Sequence, residues 1–80
     1  MKIQVTQENI DRGIRRNCGF CPIANALFDA TGEWWMVDGN HAHLRRRMIE
    51  LPTIATDFID DFDSGAPVEP VEFDLPIEEG

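Results

Sequence analysis

Thr53-Ile54-Ala55-Thr56-Asp57-Phe58-Ile59-Asp60-Asp61-Phe62-Asp63-Ser64 is followed, after a short Gly/Pro-rich break, by Val71-Glu72-Phe73-Asp74-Leu75, and the two stretches carry different periods. In the first, Ala55, Phe58, Ile59 and Phe62 recur three and four apart. That is the stripe of an amphipathic helix, with Pro52 before it and Gly65 after it. In the second, Val71, Phe73 and Leu75 alternate with Glu72 and Asp74, the pattern of a half-buried strand. Pro70 and Pro76 keep that strand at a sheet edge or strand end, because proline cannot donate to a ladder. A helix giving way to a strand marks the chain as mixed α+β.

The same two periods recur earlier in the chain. Lys2-Ile3-Gln4-Val5 alternates and predicts a strand with Ile3 and Val5 inward. Thr6 is placed to cap a short helix, with Glu8 near its positive end, Val5 stapling onto Ile10 and Gly13 ending it. Pro22 opens a second helix, in which Ile23, Ala24, Leu27 and Phe28 form the apolar stripe and Gly32 supplies the left-handed cap. Glu33 to Val37 reads as a strand that puts Trp34 and Trp35 on opposite faces. Asp38-Gly39-Asn40 then turns the chain into a return strand over His41 to Leu44. Residues 45–51 have no clean period and leave strand and helix both open. The expected order is β-α-α-β-β-α-β, a single domain over residues 1–77 with three or four strands in one sheet, helices on one face of it, and a frayed tail at 78–80.

Composition bounds the function. Eighty residues make one small domain, 42% of them apolar and 28% charged, with a core too small to spare room for a deep pocket. A multidomain enzyme is excluded and a small-molecule enzyme is disfavoured, so no cofactor is expected. The longest wholly apolar run, Trp34-Trp35-Met36-Val37, cannot cross a bilayer. Met1-Lys2 runs directly into a strand pattern with no apolar signal region, which predicts a cytoplasmic protein.

Charge is strongly partitioned. Up to Arg47 there are seven basic and five acidic residues, net +2; beyond it there are ten acids and no base, net −10. Asp57, Asp60 and Asp61 share one exposed helix face at a surface spacing of roughly 5–6 Å, comparable to successive phosphates of a nucleic-acid strand. Glu69, Glu72 and Asp74 add a second acidic row. These six are the candidate partner-binding residues: a surface of this kind suits a protein with a basic, nucleic-acid-binding face and repels nucleic acid itself. The competing reading is a solvated face that aids solubility. Arg45, Arg46 and Arg47 read as a local salt-bridging face. An exposed Trp would be a binding anchor, and either a Trp surface or a free sheet edge leaves self-association open.

Cys18-Gly19-Phe20-Cys21-Pro22 sits at a helix N-terminus, where amides and the helix dipole favour a thiolate. It resembles the C-x-x-C segment of thioredoxin-like proteins over five residues, which implies dithiol oxidoreductase chemistry at Cys18 and Cys21. It departs from that pattern in following the polar stretch Gly13 to Asn17 rather than a buried strand. A zinc-stabilised interaction module is a third reading, with Cys18, Cys21, His41 and His43 as the only soft ligands, spaced C-x2-C-x19-H-x-H. The plainest reading makes the cysteines small buried hydrophobes and puts the histidines on a hairpin surface. No phosphate-binding glycine loop, Ser/His/Asp set or H-E-x-x-H motif is present.

Lys2-Ile3-x-Val5-Thr6-x-x-x-Ile10-x-x-Gly13 with Cys18-x-x-Cys21-Pro22-Ile23-Ala24-x-Ala26-Leu27, together with Phe62-Asp63-Ser64-Gly65-x-Pro67-Val68-x-Pro70, resembles small proteins encoded in bacteriophages and prophages. The resemblance implies a context, that of compact acidic proteins that bind host proteins or block immune nucleases, anti-CRISPR proteins among them. It brings no catalytic residues. The expectation is a non-enzymatic inhibitor or adaptor acting on a host protein in the host cytoplasm.

Overall fold

A computed structural model describes residues 1–78, so Glu79 and Gly80 of the expected tail lie outside the described residues. The elements are β1 (Lys2–Val5), α1 (Gln7–Arg12), α2 (Pro22–Thr31), β2 (Met36–Val37), β3 (His41–Leu44), β4 (Arg47–Glu50), α3 (Thr53–Ser64) and β5 (Val71–Asp74). The α+β class and the order of elements are as the sequence implies, with the undecided stretch after Leu44 forming β4.

The strands form two sheets rather than one sheet of three or four. β1 pairs antiparallel with β5, Ile3 opposite Phe73 and Val5 opposite Val71. β2, β3 and β4 form a separate antiparallel meander. At the outer edge of β2, Val37 N–H donates to the Cys18 carbonyl at 2.7 Å. The chain closes at the other end, where the terminal amine donates to the Leu75 carbonyl at 2.8 Å and Leu75 N–H to the Met1 carbonyl at 2.9 Å.

β2 is shorter than the Glu33 to Val37 strand expected from sequence. Thr31 Oγ1 accepts from Glu33 N–H at 3.2 Å and from Trp35 Nε1 at 3.0 Å, holding residues 33–35 against the end of α2 and away from the ladder. Trp35 is nonetheless buried at 1% exposure while Trp34 is 60% exposed, the opposite-face placement that alternation predicts. In the meander the pleat sorts residues cleanly: Val37, Ala42 and Ile49 are buried cross-strand neighbours, and Met36, His43 and Met48 are cross-strand neighbours on the outer face.

Both sheets and the helices bury one continuous core that includes Ile3, Val5, Ile23, Leu27, Trp35, Ala42, Phe58, Ile59 and Phe73. Thr6 caps α1, and its partner in the capping box is Asn9. Gly32 and Gly65 end α2 and α3 at φ 76° and 84°, the left-handed region that glycine enters without strain. Gly13 differs. Its φ is −69°, and its role is close approach, since a Cβ there would lie 2.6 Å from Pro22 Cγ and 3.0 Å from Phe62 Cζ. Among the described residues no helix is long and apolar enough to cross a membrane.

Candidate functional site

α3 buries Ala55, Phe58 and Ile59 and turns Asp57, Asp60 and Asp61 to solvent. The extended segment from Pro67 to Pro70 returns alongside it. A shallow groove results, with Asp57, Asp61 and Glu69 on its walls and the exposed Ile54 within it. Asp60 is exposed beside the groove without lining it. Glu72 and Asp74 belong to the outer face of β5, where Glu72 accepts from Gln4 Nε2 at 3.4 Å and Asp74 stands opposite Lys2. The six acids therefore divide between a groove and a sheet face. Among the described residues none of them forms an ion pair: the arginine pairs are Arg12 with Glu8 and Asp29, and Arg45 with Glu33.

Of Arg45, Arg46 and Arg47, expected to form a local salt-bridging face, only Arg45 makes an ion pair among the described residues. Arg45 opens the two-residue turn between β3 and β4 at φ 55° and reaches Glu33 at 3.3 Å. Arg47 is exposed, with its guanidinium 5.9 Å from the centre of the Trp35 ring, a cation–π contact. Arg16 N–H donates to the Asp63 carboxylate at 2.9 Å, tying the 13–17 loop to α3.

The two thiols are free, Cys18 exposed and Cys21 buried. Cys21 is the N-cap of α2, its Sγ accepting from Ala24 N–H at 3.4 Å. The helix terminus was expected to favour a thiolate there. Burial outweighs it and pushes the Cys21 thiol up, the amides of Ala24 and Ile23 recovering only part of the cost. The four-ligand set Cys18, Cys21, His41 and His43 is not assembled either. The donors that approach one another are Asp38, His41 and His43, because Asp38 folds back across the turn onto the histidine face of β3 while the cysteines sit in the loop before α2 and at its N-cap. Asp38 Oδ1 accepts from the backbone N–H of Asn40 at 2.8 Å and of His41 at 2.6 Å, and Oδ2 lies 2.8 Å from His43 Nε2. The Asn40 amide, the His43 side chain and the His41 amide hold the Asp38 carboxyl at about 2, below its ordinary range.

Trp34 stands out on the surface. Its ring stacks on Phe28 at 4.0 Å between centroids and meets Phe20 edge-on at 5.9 Å. Met36 (54% exposed) continues this surface, its sulfur in van der Waals reach of a Cβ placed on Gly19, and Met48 (61% exposed) lies across the meander from it. Sequence alternation turns one of the two tryptophans outward without saying which, and the structure makes it Trp34. Phe20 and Met48 escape it because one lies in an irregular loop and the other in the stretch without a period.

No family model matches the chain, and neither a curated protein nor a solved structure shows a significant similarity to it.

Proposed function

We propose that this chain is a non-enzymatic binding protein, an inhibitor or adaptor of the phage type, that presents its acidic α3–β5 surface to a basic face of a host protein in the host cytoplasm. The observation that carries the reading is the set of six exposed carboxylates at Asp57, Asp60, Asp61, Glu69, Glu72 and Asp74, none of them paired with a cation among the described residues. Unpaired carboxylates keep their field for a partner, steer a basic surface into contact and repel nucleic acid and anionic membranes. Three of them line a groove together with the exposed Ile54, so apolar contact is available beside the charge.

The test is capture of partners from a bacterial lysate by the wild-type chain and by an Asp57→Lys/Asp61→Lys/Glu69→Lys variant, repeated with competing duplex DNA and with raised salt. A nuclease, polymerase or CRISPR effector that is held by the wild type, released by DNA and salt and lost in the variant supports the reading. A partner held equally by both proteins removes the acidic surface from it.

A second reading rests on Trp34, fixed between Phe28 and Phe20 with most of its surface in solvent. A rigid exposed Trp is a low-entropy anchor for a protein contact. A Trp34→Ala variant that loses a salt-resistant partner favours this surface over the acidic one. In the dithiol reading the exposed Cys18 is the attacking thiol and Cys21, buried with its thiol pushed up, is the partner that leaves less readily.

A further inference from the structure

The turn between β2 and β3 gathers two imidazoles and one carboxylate. His41 and His43 are two apart on β3 and share a face, and Asp38 N–H donates to the His41 carbonyl at 3.0 Å, so the turn brings the Asp38 carboxylate back to the same face. Asp38 Oδ2 is 2.8 Å from His43 Nε2, and Oδ1 is 3.8 Å from His41 Nδ1. The imidazole centroids are 6.0 Å apart, and one donor atom from each residue lies within 4.8 Å of the others. Among the described residues this is the one place where three such donors converge.

These spacings match what a small divalent ion requires. With metal–ligand bonds of about 2.1 Å, neighbouring donors stand about 3.0 Å apart around an octahedral ion and about 3.4 Å around a tetrahedral one. The carboxylate–His43 separation of 2.8 Å is already close to the octahedral value, and because one donor atom from each residue lies within 4.8 Å of the others, side-chain shifts of about 1–2 Å bring the set to coordination distance. The carboxylate is already oriented by the amides of Asn40 and His41, the kind of outer support that lowers the cost of assembling a site. All three side chains are partly exposed, which leaves an approach for the ion and room for water.

We propose that Asp38, His41 and His43 form an open three-ligand site for a divalent late first-row transition ion, with water completing the coordination. The donor set selects the class. Imidazoles suit Zn²⁺, Ni²⁺, Cu²⁺ and Fe²⁺, whereas Mg²⁺ and Ca²⁺ take oxygen donors. The site takes its histidines from the C-x2-C-x19-H-x-H pattern but replaces both thiols with a carboxylate that the sequence spacing does not point to.

Zn²⁺ is the probe. The metal-free 80-residue chain is titrated at neutral pH against a chromophoric chelator, with the histidine ring signals followed by NMR. The expected result is one Zn²⁺ per chain with micromolar affinity and both imidazoles shifted together. Affinity should fall at least ~10-fold in each of Asp38→Asn, His41→Gln and His43→Gln, and be unchanged in Cys18→Ser. His41 and His43 lie on the outer face of the meander, so their variants retain the fold, which far-UV circular dichroism verifies. Absence of binding at about 100 µM Zn²⁺, some 5 kcal/mol, overturns the proposal. So does full affinity in both histidine variants, or loss of affinity in Cys18→Ser.

Discussion

Asn9 is the one buried polar side chain among the described residues, fully enclosed between α1 and α2. Its Oδ1 accepts from Thr6 N–H at 2.9 Å, completing the capping box, and its Nδ2 donates to Asp29 Oδ2 at 2.8 Å. Asn9→Ala removes both bonds. It leaves the backbone bonds of residue 9, from its N–H to Thr6 Oγ1 and from Asn25 Nδ2 to its carbonyl. Half of a capping box is worth about 0.5–1 kcal/mol. A hydrogen bond to a carboxylate is worth about 1.5–3 kcal/mol, and the low end applies because Asp29 is half exposed and keeps Arg12 at 3.5 Å. The better helix propensity of alanine returns about 0.5 kcal/mol. The net loss is about 2 kcal/mol, a large fraction of the roughly 4–12 kcal/mol available to a domain of this length, and it lowers Tm by roughly 10 °C. Urea unfolding followed by the fluorescence of the buried Trp35 measures it, with an unchanged slope expected. Asn9→Asp keeps the cap acceptor but sets a second carboxylate against Asp29, so its loss at neutral pH exceeds that of alanine and shrinks on acidification. A loss below about 0.5 kcal/mol in Asn9→Ala would refute the assignment of Asn9 as the tie between the helices.

Gly13→Ala forces a Cβ to within 2.6 Å of the rigid Pro22 ring, and its stability loss of about 2–3 kcal/mol exceeds that of Gly32→Ala, which meets no atom within 4 Å and carries only the left-handed backbone cost; paired thermal melts test the order. The folded-state pKa of Asp38 is depressed to about 2, so in metal-free protein its contribution is fully present above the ordinary aspartate pKa and is lost as pH falls through about 2. An Asp38→Asn variant accordingly shows its largest deficit at neutral pH and converges on the wild type in acid, and a deficit independent of pH contradicts the assignment. A thiol-reactive disulfide reagent at pH 8 modifies Cys18 rapidly and Cys21 only as fast as the fold opens, since Cys21 is buried with its thiol pushed up; equal rates at both cysteines contradict the burial.

Local pattern was enough wherever one side chain's position followed from its neighbours along the chain. The stripe Ala55, Phe58, Ile59 and the alternation around Phe73 specify α3 and β5, because helix and strand periods each place every third or fourth, or every second, side chain on one face. The caps at Thr6 and Gly32, the opposite faces of Trp34 and Trp35, and the exposure of Asp57, Asp60 and Asp61 follow by the same logic. Pairing between distant segments is another matter. β1 joins β5 and not β2, whose Val37 amide is taken by the Cys18 carbonyl, a contact between residues nineteen apart with no periodic signature. The link from Asn9 to Asp29, the placing of Arg47 beside the Trp35 ring and the close approach of Gly13 to Pro22 are likewise contacts between separate elements. The candidate sites divide in the same way: sequence places the six acids on exposed faces, whereas only the folded chain separates the cysteines from the histidines and turns Asp38 back onto them. Periodicity encodes which way a side chain faces relative to its own element; what it meets there is set by the packing of elements against one another, and that is decided by the tertiary structure alone.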